Sequence, residues 1–263
     1  MQWLRQLIRF GWMQALNCMF AVVIFAAMAL TRYVDITFIP RYDAILFVCL
    51  LMQVLLIWSK QETVDELKVI IVFHLLGLAL ETFKVYMGSW SYPDEGYSKL
   101  AGVPLYSGFM YASVASYICQ AYRRFRIEVF GWPPAIVTIL LSAAIYLNFF
   151  THHWLYDVRY WLMAALLPVF GRAYFKFTVG QHTYSMPVIV SYLLIGFFIW
   201  LAENISTFLG AWQYPNQEGV WHVVHWGKIG SWFLLVIISV IIVTELKRLK
   251  GRLDRGKPVV HLR

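Results

Sequence analysis

Stretches of apolar residues long enough to cross a bilayer recur along the whole chain, and they constrain its fold more than any other feature. Eight are visible, at roughly 10–31, 43–59, 68–88, 101–121, 132–151, 156–177, 187–208 and 226–245. A helix needs about 20 such residues to span the hydrocarbon core. There the backbone must satisfy its own hydrogen bonds, which favours helices. The expectation is therefore an all-α polytopic membrane protein with eight transmembrane helices. Composition agrees, since 14% of the 263 residues are charged, against about 25% in soluble domains.

The net charge of +8 raises the question of nucleic acid, and the placement of the charge answers it. Seven of the 22 Lys and Arg residues follow the last apolar stretch: Lys247, Arg248, Lys250, Arg252, Arg255, Lys257 and Arg263. A basic tail beside a membrane is a topology signal and a contact for anionic headgroups. The expected partner is the lipid bilayer and not nucleic acid. With eight spans, sixteen basic residues fall in the N-terminus, the even-numbered connections and the tail, and five fall on the other side. The positive-inside rule then places both termini in the cytoplasm of a bacterium, with the chain in its inner (cytoplasmic) membrane.

Cys18, Cys49 and Cys119 all fall within apolar stretches and form no C-x-x-C pair, so they read as small buried residues. The first stretch, with Arg5 and Arg9 ahead of it and Ala27-Met28-Ala29 near its end, resembles a signal peptide. Its Phe10-Gly11-Trp12 recurs as Phe130-Gly131-Trp132, which argues for a retained span.

A thirteen-residue stretch also occurs twice. Glu81 to Pro93 reads E-T-F-K-V-Y-M-G-S-W-S-Y-P, and Glu203 to Pro215 reads E-N-I-S-T-F-L-G-A-W-Q-Y-P. Glu81/Glu203, Gly88/Gly210, Trp90/Trp212, Tyr92/Tyr214 and Pro93/Pro215 recur at an offset of 122. Four spans per copy would give both copies one orientation, a parallel repeat with its pseudo-two-fold along the membrane normal. The expected units are a first four-helix repeat at 1–122, a second at 123–246 and a basic cytoplasmic tail at 247–263.

Each copy carries a carboxylate into an apolar span, and an intramembrane acid is a functional candidate by default. Gly88 and Gly210 share a face with their glutamates and would let a backbone or ligand approach. Lys84, three residues after Glu81, is expected to pair with it and keep it ionised. In the second copy Lys84 is replaced by Ser206, so Glu203 is expected to be the neutral proton donor. Glu203, Glu81 and Lys84 are the candidate catalytic set. Trp90, Tyr92, Trp212 and Tyr214, at the expected outer interface, join His74 and Asn204 as candidate substrate contacts. A second constellation, His152, His153 and Asp157 with His222 and His225, offers metal-ligand chemistry near the outer face. On a helix His222 and His225 would share a face.

Three segments carry a family resemblance: Gly88 to Pro93 (G-S-W-S-Y-P), Leu100 to Leu105 (L-A-G-V-P-L) and Gly108 to Tyr111 (G-F-M-Y). They resemble the repeated motif of membrane carotenoid-cyclase-type proteins, including the heterodimeric lycopene cyclases. In length and span layout the whole chain resembles an uncharacterised bacterial multi-pass membrane family, the proteins similar to YoaT. The cyclase resemblance implies an enzyme on an apolar isoprenoid, with paired acids directly after Pro-Leu. Here Tyr106 and Ser107 follow Pro104-Leu105, so this chain lacks those acids. The leading expectation is an enzyme, or a relic of one, binding an apolar isoprenoid or lipid between the repeats. Glu203 would protonate a double bond, and aromatic rings would stabilise the cation without any cofactor. The rivals are a metal-dependent membrane lipid hydrolase built on the histidines and a transporter with proton-coupling glutamates.

Overall fold

The structure is a computed structural model describing residues 2–34 and 37–255, with side chains described for 3–34 and 37–245. Among the described residues nine α-helices dominate: α1 (Gln2–Asn17), α2 (Met19–Tyr33), α3 (Arg41–Trp58), α4 (Val64–Tyr86), α5 (Tyr106–Arg124), α6 (Ala135–Thr151), α7 (Arg159–Phe170), α8 (Val188–Phe208) and α9 (Gly227–Arg255). Two short strands, β1 (Lys99–Leu100) and β2 (Val103–Pro104), precede α5. Three more, β3 (Glu128–Phe130), β4 (Tyr174–Val179) and β5 (His182–Pro187), form an antiparallel sheet in that order.

Among the described residues, α3, α4, α8 and residues Gly227–Glu245 of α9 are long and apolar enough to cross a membrane. The pair α1 and α2 makes a fifth if counted as one broken span. These helices are those of a membrane protein, and their exposed Leu, Ile, Phe and Trp side chains agree.

Three expectations are corrected. The first apolar stretch is not one helix: it breaks at Cys18, and α1 and α2 diverge by 65°. The sixth stretch, 156–177, gives a helix of only 12 residues containing Pro168, followed by β4. Tyr174 to Val179 is rich in aromatic and β-branched residues, and Gly180, at φ +66°, turns it into β5. The fold is therefore helical with a small sheet and not all-α. The Phe-Gly-Trp anchor also fails, because Phe10-Gly11-Trp12 lies inside α1 while Phe130 ends β3 and Gly131 adopts φ +64°.

The polar fourth stretch makes sense as α5, the most enclosed helix. Its Ser107, Ser113, Ser116 and Gln120 are buried between neighbours and not exposed to lipid. It runs to Arg124, past the expected boundary at 122, and α9 likewise continues past 246 to Arg255. The tail residues Lys257 and Arg263 lie outside the described residues. One apolar core gathers α2 to α5 and both motif copies, and a second gathers α6 to α9 with the C-terminal half of α5. The first motif copy precedes α5 and the sheet follows it, so the two mark opposite ends of the bundle.

Candidate functional site

Both copies of the motif close their helices in the same way. In the first, Ser89 donates its N–H to the Lys84 carbonyl at 2.9 Å, and Gly88 adopts φ +66°. In the second, Ala211 donates to the Ser206 carbonyl at 2.9 Å, and Gly210 adopts φ +70°. This is the C-terminal cap that needs a left-handed residue, hence glycine. It corrects the expected role of the glycines: a Cβ on Gly88 would touch nothing within 4 Å, so backbone conformation and not close approach selects the residue.

The cap turns the chain back on its own glutamate. Tyr92 donates its hydroxyl to Glu81 Oε2 at 2.8 Å, and Trp90 donates its indole N–H to the same oxygen at 2.6 Å. Tyr111, from α5, donates to Oε1 at 2.8 Å. In the second copy Tyr214 donates to Glu203 Oε1, and Trp232, from α9, donates to Oε2 at 2.7 Å. Each glutamate is thus held by the tyrosine eleven residues on and by an aromatic donor of the next long helix. The four motif aromatics are buried, not spread along the membrane interface. Burial, then the charge of the adjoining glutamate, pushes the Tyr92 and Tyr214 phenols well up, so both remain donors.

The two copies also meet. Ser91 and Gln213 exchange backbone hydrogen bonds of 2.9 and 3.0 Å. Trp90 packs edge-on to Tyr214, and Trp212 packs against Tyr92, with ring centroids 5.9 and 6.5 Å apart. Under the 122-residue offset these two contacts are counterparts. Arg41 locks the junction, donating to the carbonyls of Leu209 and Gly210 at 2.7 and 2.8 Å and pairing with Asp94 at 2.7 Å.

Beside the junction lies a cavity of about 110 Å³. Charged side chains from four helices line it: Lys84, Arg159, Glu203 and Lys228. Arg159 is matched by Asp157 at 2.5 Å. Among the described residues neither Lys84 nor Lys228 has a carboxylate within ion-pairing distance. Lys228 Nζ sits 4.6 and 5.0 Å from the ring centroids of Tyr214 and Trp90. Lys84 Nζ approaches His153 Nε2 at 2.9 Å and His152 Nε2 at 3.4 Å, and lies 4.3 Å from the Phe149 centroid.

The expected Glu81–Lys84 pair is therefore absent. The indole and hydroxyls enclose Glu81, and Lys84 turns the other way, into the cavity. Nor is Glu203 without a cation nearby, because Lys228, 25 residues later, lines the same cavity. The offset makes Ser206 the counterpart of Lys84 and Tyr106 that of Lys228. Both counterparts are buried, and Tyr106 donates its hydroxyl to the Ala211 carbonyl at 2.7 Å. The position facing the second copy is packed with tyrosine, whereas its partner position is an open cationic cavity.

The histidines do not form the expected set. His222 and His225 precede α9 in a non-helical segment, where His225 Nδ1 accepts from the Gly227 N–H at 3.1 Å. His152 and His153 directly follow α6 and face Lys84. Asp157 is engaged by Asn148 and Arg159. Among the described residues no group of three or more His, Cys, Asp or Glu is placed to hold a metal ion. Burial, reinforced by the Lys84 charge, lowers the His152 and His153 imidazoles, in keeping with their accepting role. Burial opposes ionisation of Asp157, but its bonds to Asn148 and Arg159 outweigh this and hold the carboxyl low. His74 packs against Gly108 and Phe109 of α5, away from the cavity lining. Asn204 bonds to the Val224 N–H and the Trp200 carbonyl, holding the segment before α9.

Residues 6–240 match the family described as "Protein of unknown function (DUF817)". The chain belongs to the DUF817 family. It is also 57% identical over 250 residues, 95% of each chain, to the "Uncharacterized protein YoaT" of Bacillus subtilis (strain 168). No solved structure matches it. The DUF817 match covers both motif copies and every residue lining the cavity.

In this DUF817 chain the sequence reading missed Lys228, Arg159, Tyr111 and Trp232. Lys228 carried a signal, a lysine at the mouth of an apolar stretch at the motif offset from a tyrosine. Tyr111 stood within the G-F-M-Y segment of the resemblance without a role, and Trp232 carried no signal, being a single aromatic in an apolar helix. Also missed was Glu62, buried at 2% exposure, which accepts from Gln53 at 2.6 Å, from Gln120 at 3.2 Å and from Ser116. It lies before α4, at the end of the bundle away from the motif.

Proposed function

We propose that this protein binds a small anion, a carboxylate or oxyanion of few atoms, in the cavity beside the motif junction and carries it across the bacterial cytoplasmic membrane. The observation that carries this reading is the pair of lysines, Lys84 and Lys228, that face one cavity without a carboxylate partner. A cation in an apolar bundle calls for a counter-charge, and here the ligand supplies it. Arg159 adds a planar donor beside them. A cavity of about 110 Å³ is smaller than the roughly 150 Å³ space that accepts benzene. That size favours a small solute over the isoprenoid or lipid chain implied by the cyclase resemblance. Both Glu203 oxygens already accept hydrogen bonds, which suits an acceptor that positions its neighbours better than a proton donor.

In this reading α2 to α5 and α6 to α9 form two parallel four-helix repeats, with both termini in the cytoplasm. The counterpart contacts at the motif junction support the repeat, and binding at a repeat interface is the usual arrangement in carriers. In this reading the Ser91–Gln213 junction closes the outer side.

Reconstitution tests it. Liposomes bearing the protein should take up labelled acetate, lactate or phosphate faster than protein-free liposomes, and Lys228→Met should reduce that uptake to background. Equal uptake with and without protein across the panel, combined with no anion-dependent thermal stabilisation, ends the proposal.

A further inference from the structure

The helix α1 is built unlike the span that the sequence suggested. Phe10, Met13, Gln14 and Asn17 face the protein: Phe10 packs on Phe125 and Phe177, Gln14 accepts from the Tyr117 hydroxyl, and Asn17 is 1% exposed. On the far side Leu4, Ile8 and Trp12 form an exposed apolar stripe, and Trp3 and Leu7, which share the Phe10 stripe nearer the N-terminus, are exposed as well, each of the five at least half exposed. Arg5 and Arg9 edge that face and are exposed as well. The 65° bend at Cys18 turns this helix away from the axis of α2, which continues into the apolar bundle. It rests on the sheet end of the molecule, where the Arg9 guanidinium lies against the Gly180 turn. Arg126 and Arg172 are exposed at that same end.

An apolar face with bulky aromatics, edged by arginine and set across the direction of the next helix, fits a bilayer surface. We infer that α1 lies in the plane of the membrane at the sheet end and binds anionic phospholipid headgroups through Arg5 and Arg9. The apolar face enters the acyl boundary, and the guanidinium groups meet headgroup phosphates, with Arg126 and Arg172 extending the positive surface. This surface is separate from the anion cavity and does not depend on it. It anchors the C-terminal end of α5 through the Phe10–Phe125–Phe177 cluster.

The test uses the full chain in nanodiscs of phosphatidylcholine, with and without phosphatidylglycerol. Single spin labels at positions 3, 4, 7, 8, 11, 12 and 15 report accessibility to oxygen and to a water-soluble nickel chelate. The expected pattern is helical periodicity about one constant depth, with oxygen access highest at Leu4→Cys and Ile8→Cys. Co-purified phosphatidylglycerol should fall in Arg5→Gln/Arg9→Gln, on the order of fivefold for each arginine removed. Arg5→Lys/Arg9→Lys should retain most of it, which separates loss of charge from loss of fold. Depth rising steadily from position 3 to 15 would mark a transmembrane entry and overturn the inference. So would exclusion of oxygen from the apolar face, which would mark a protein partner there, or unchanged phosphatidylglycerol in the glutamine variant.

Discussion

Ser91 and Gln213 stand at the same place in two copies of one motif, 122 residues apart, and each donates its N–H to the other's carbonyl. A reciprocal pair of this kind is what a local two-fold axis passing between them would produce. With the native cysteines replaced, Ser91→Cys and Gln213→Cys are expected to cross-link efficiently through a short bifunctional thiol reagent. Cross-linking no better than between Ser91→Cys and an exposed site at the sheet end, such as Thr183→Cys, would disprove the junction.

Glu81 accepts three hydrogen bonds and makes no pair with Lys84. Glu81→Gln sets an amide NH₂ among donors, at a cost of about 1–3 kcal/mol for a buried group left unsatisfied. The double-mutant cycle with Tyr92→Phe should show coupling, and the cycle with Lys84→Met should be near additive. The reverse pattern in thermal or denaturant unfolding would restore the ion pair.

Lys228 and Tyr106 occupy corresponding positions but face different surroundings. Lys228→Tyr should fill the cavity and remove anion binding while the fold survives, which anion-dependent thermal stabilisation in detergent reads directly. Retained stabilisation by acetate or phosphate would place the anion elsewhere.

His152 and His153 are held neutral beside Lys84, with folded-state values below the ordinary 6.5. Across that interval the unfolded chain binds more protons, so stability falls as pH drops below about 6.5 and levels off once the folded imidazoles titrate. The melting temperature at about pH 5 should therefore lie below that at about pH 7.5, and His152→Gln/His153→Gln should flatten the difference. Asp157 also sits below its ordinary value of 3.8 and contributes only at more acidic pH. An unchanged pH slope in the double variant would assign the effect to other groups.

Gly88 and Gly210 hold φ +66° and +70° at equivalent caps. Alanine at either should destabilise by about 1 kcal/mol through left-handed strain alone. Gly11→Ala, inside α1, should be neutral or stabilising because a Cβ there meets nothing within 4 Å. Equal effects at all three sites would refute the capping role.

Apolar length and repetition were legible because they are local. A run of twenty apolar residues must be helical wherever it sits in a bilayer, and a motif that recurs in register announces a recurring turn. The Gly–Trp–Tyr spacing behind each glutamate was visible as a repeat, but that it caps the helix and returns Tyr92 and Tyr214 to the carboxylate emerged only from the structure. Limits appeared where length misled. The stretch at 156–177 was apolar enough in aggregate to pass for a span, but its second part alternates in the manner of a strand and pairs with β3, a partner more than forty residues earlier. Across 10–31 nothing in the apolar pattern marked the bend at Cys18, which lets α1 reach the sheet. The sequence by itself determined the membrane class, the recurrence of the motif and the carboxylate that each copy carries. Only tertiary structure decided which cation faces which carboxylate. Lys84 is three residues from Glu81 yet turns to His152 and His153, and Lys228 comes from another helix to line the same cavity as Glu203. Side-chain partners of buried charges are set by which helices pack together, and that packing is a property of the whole bundle.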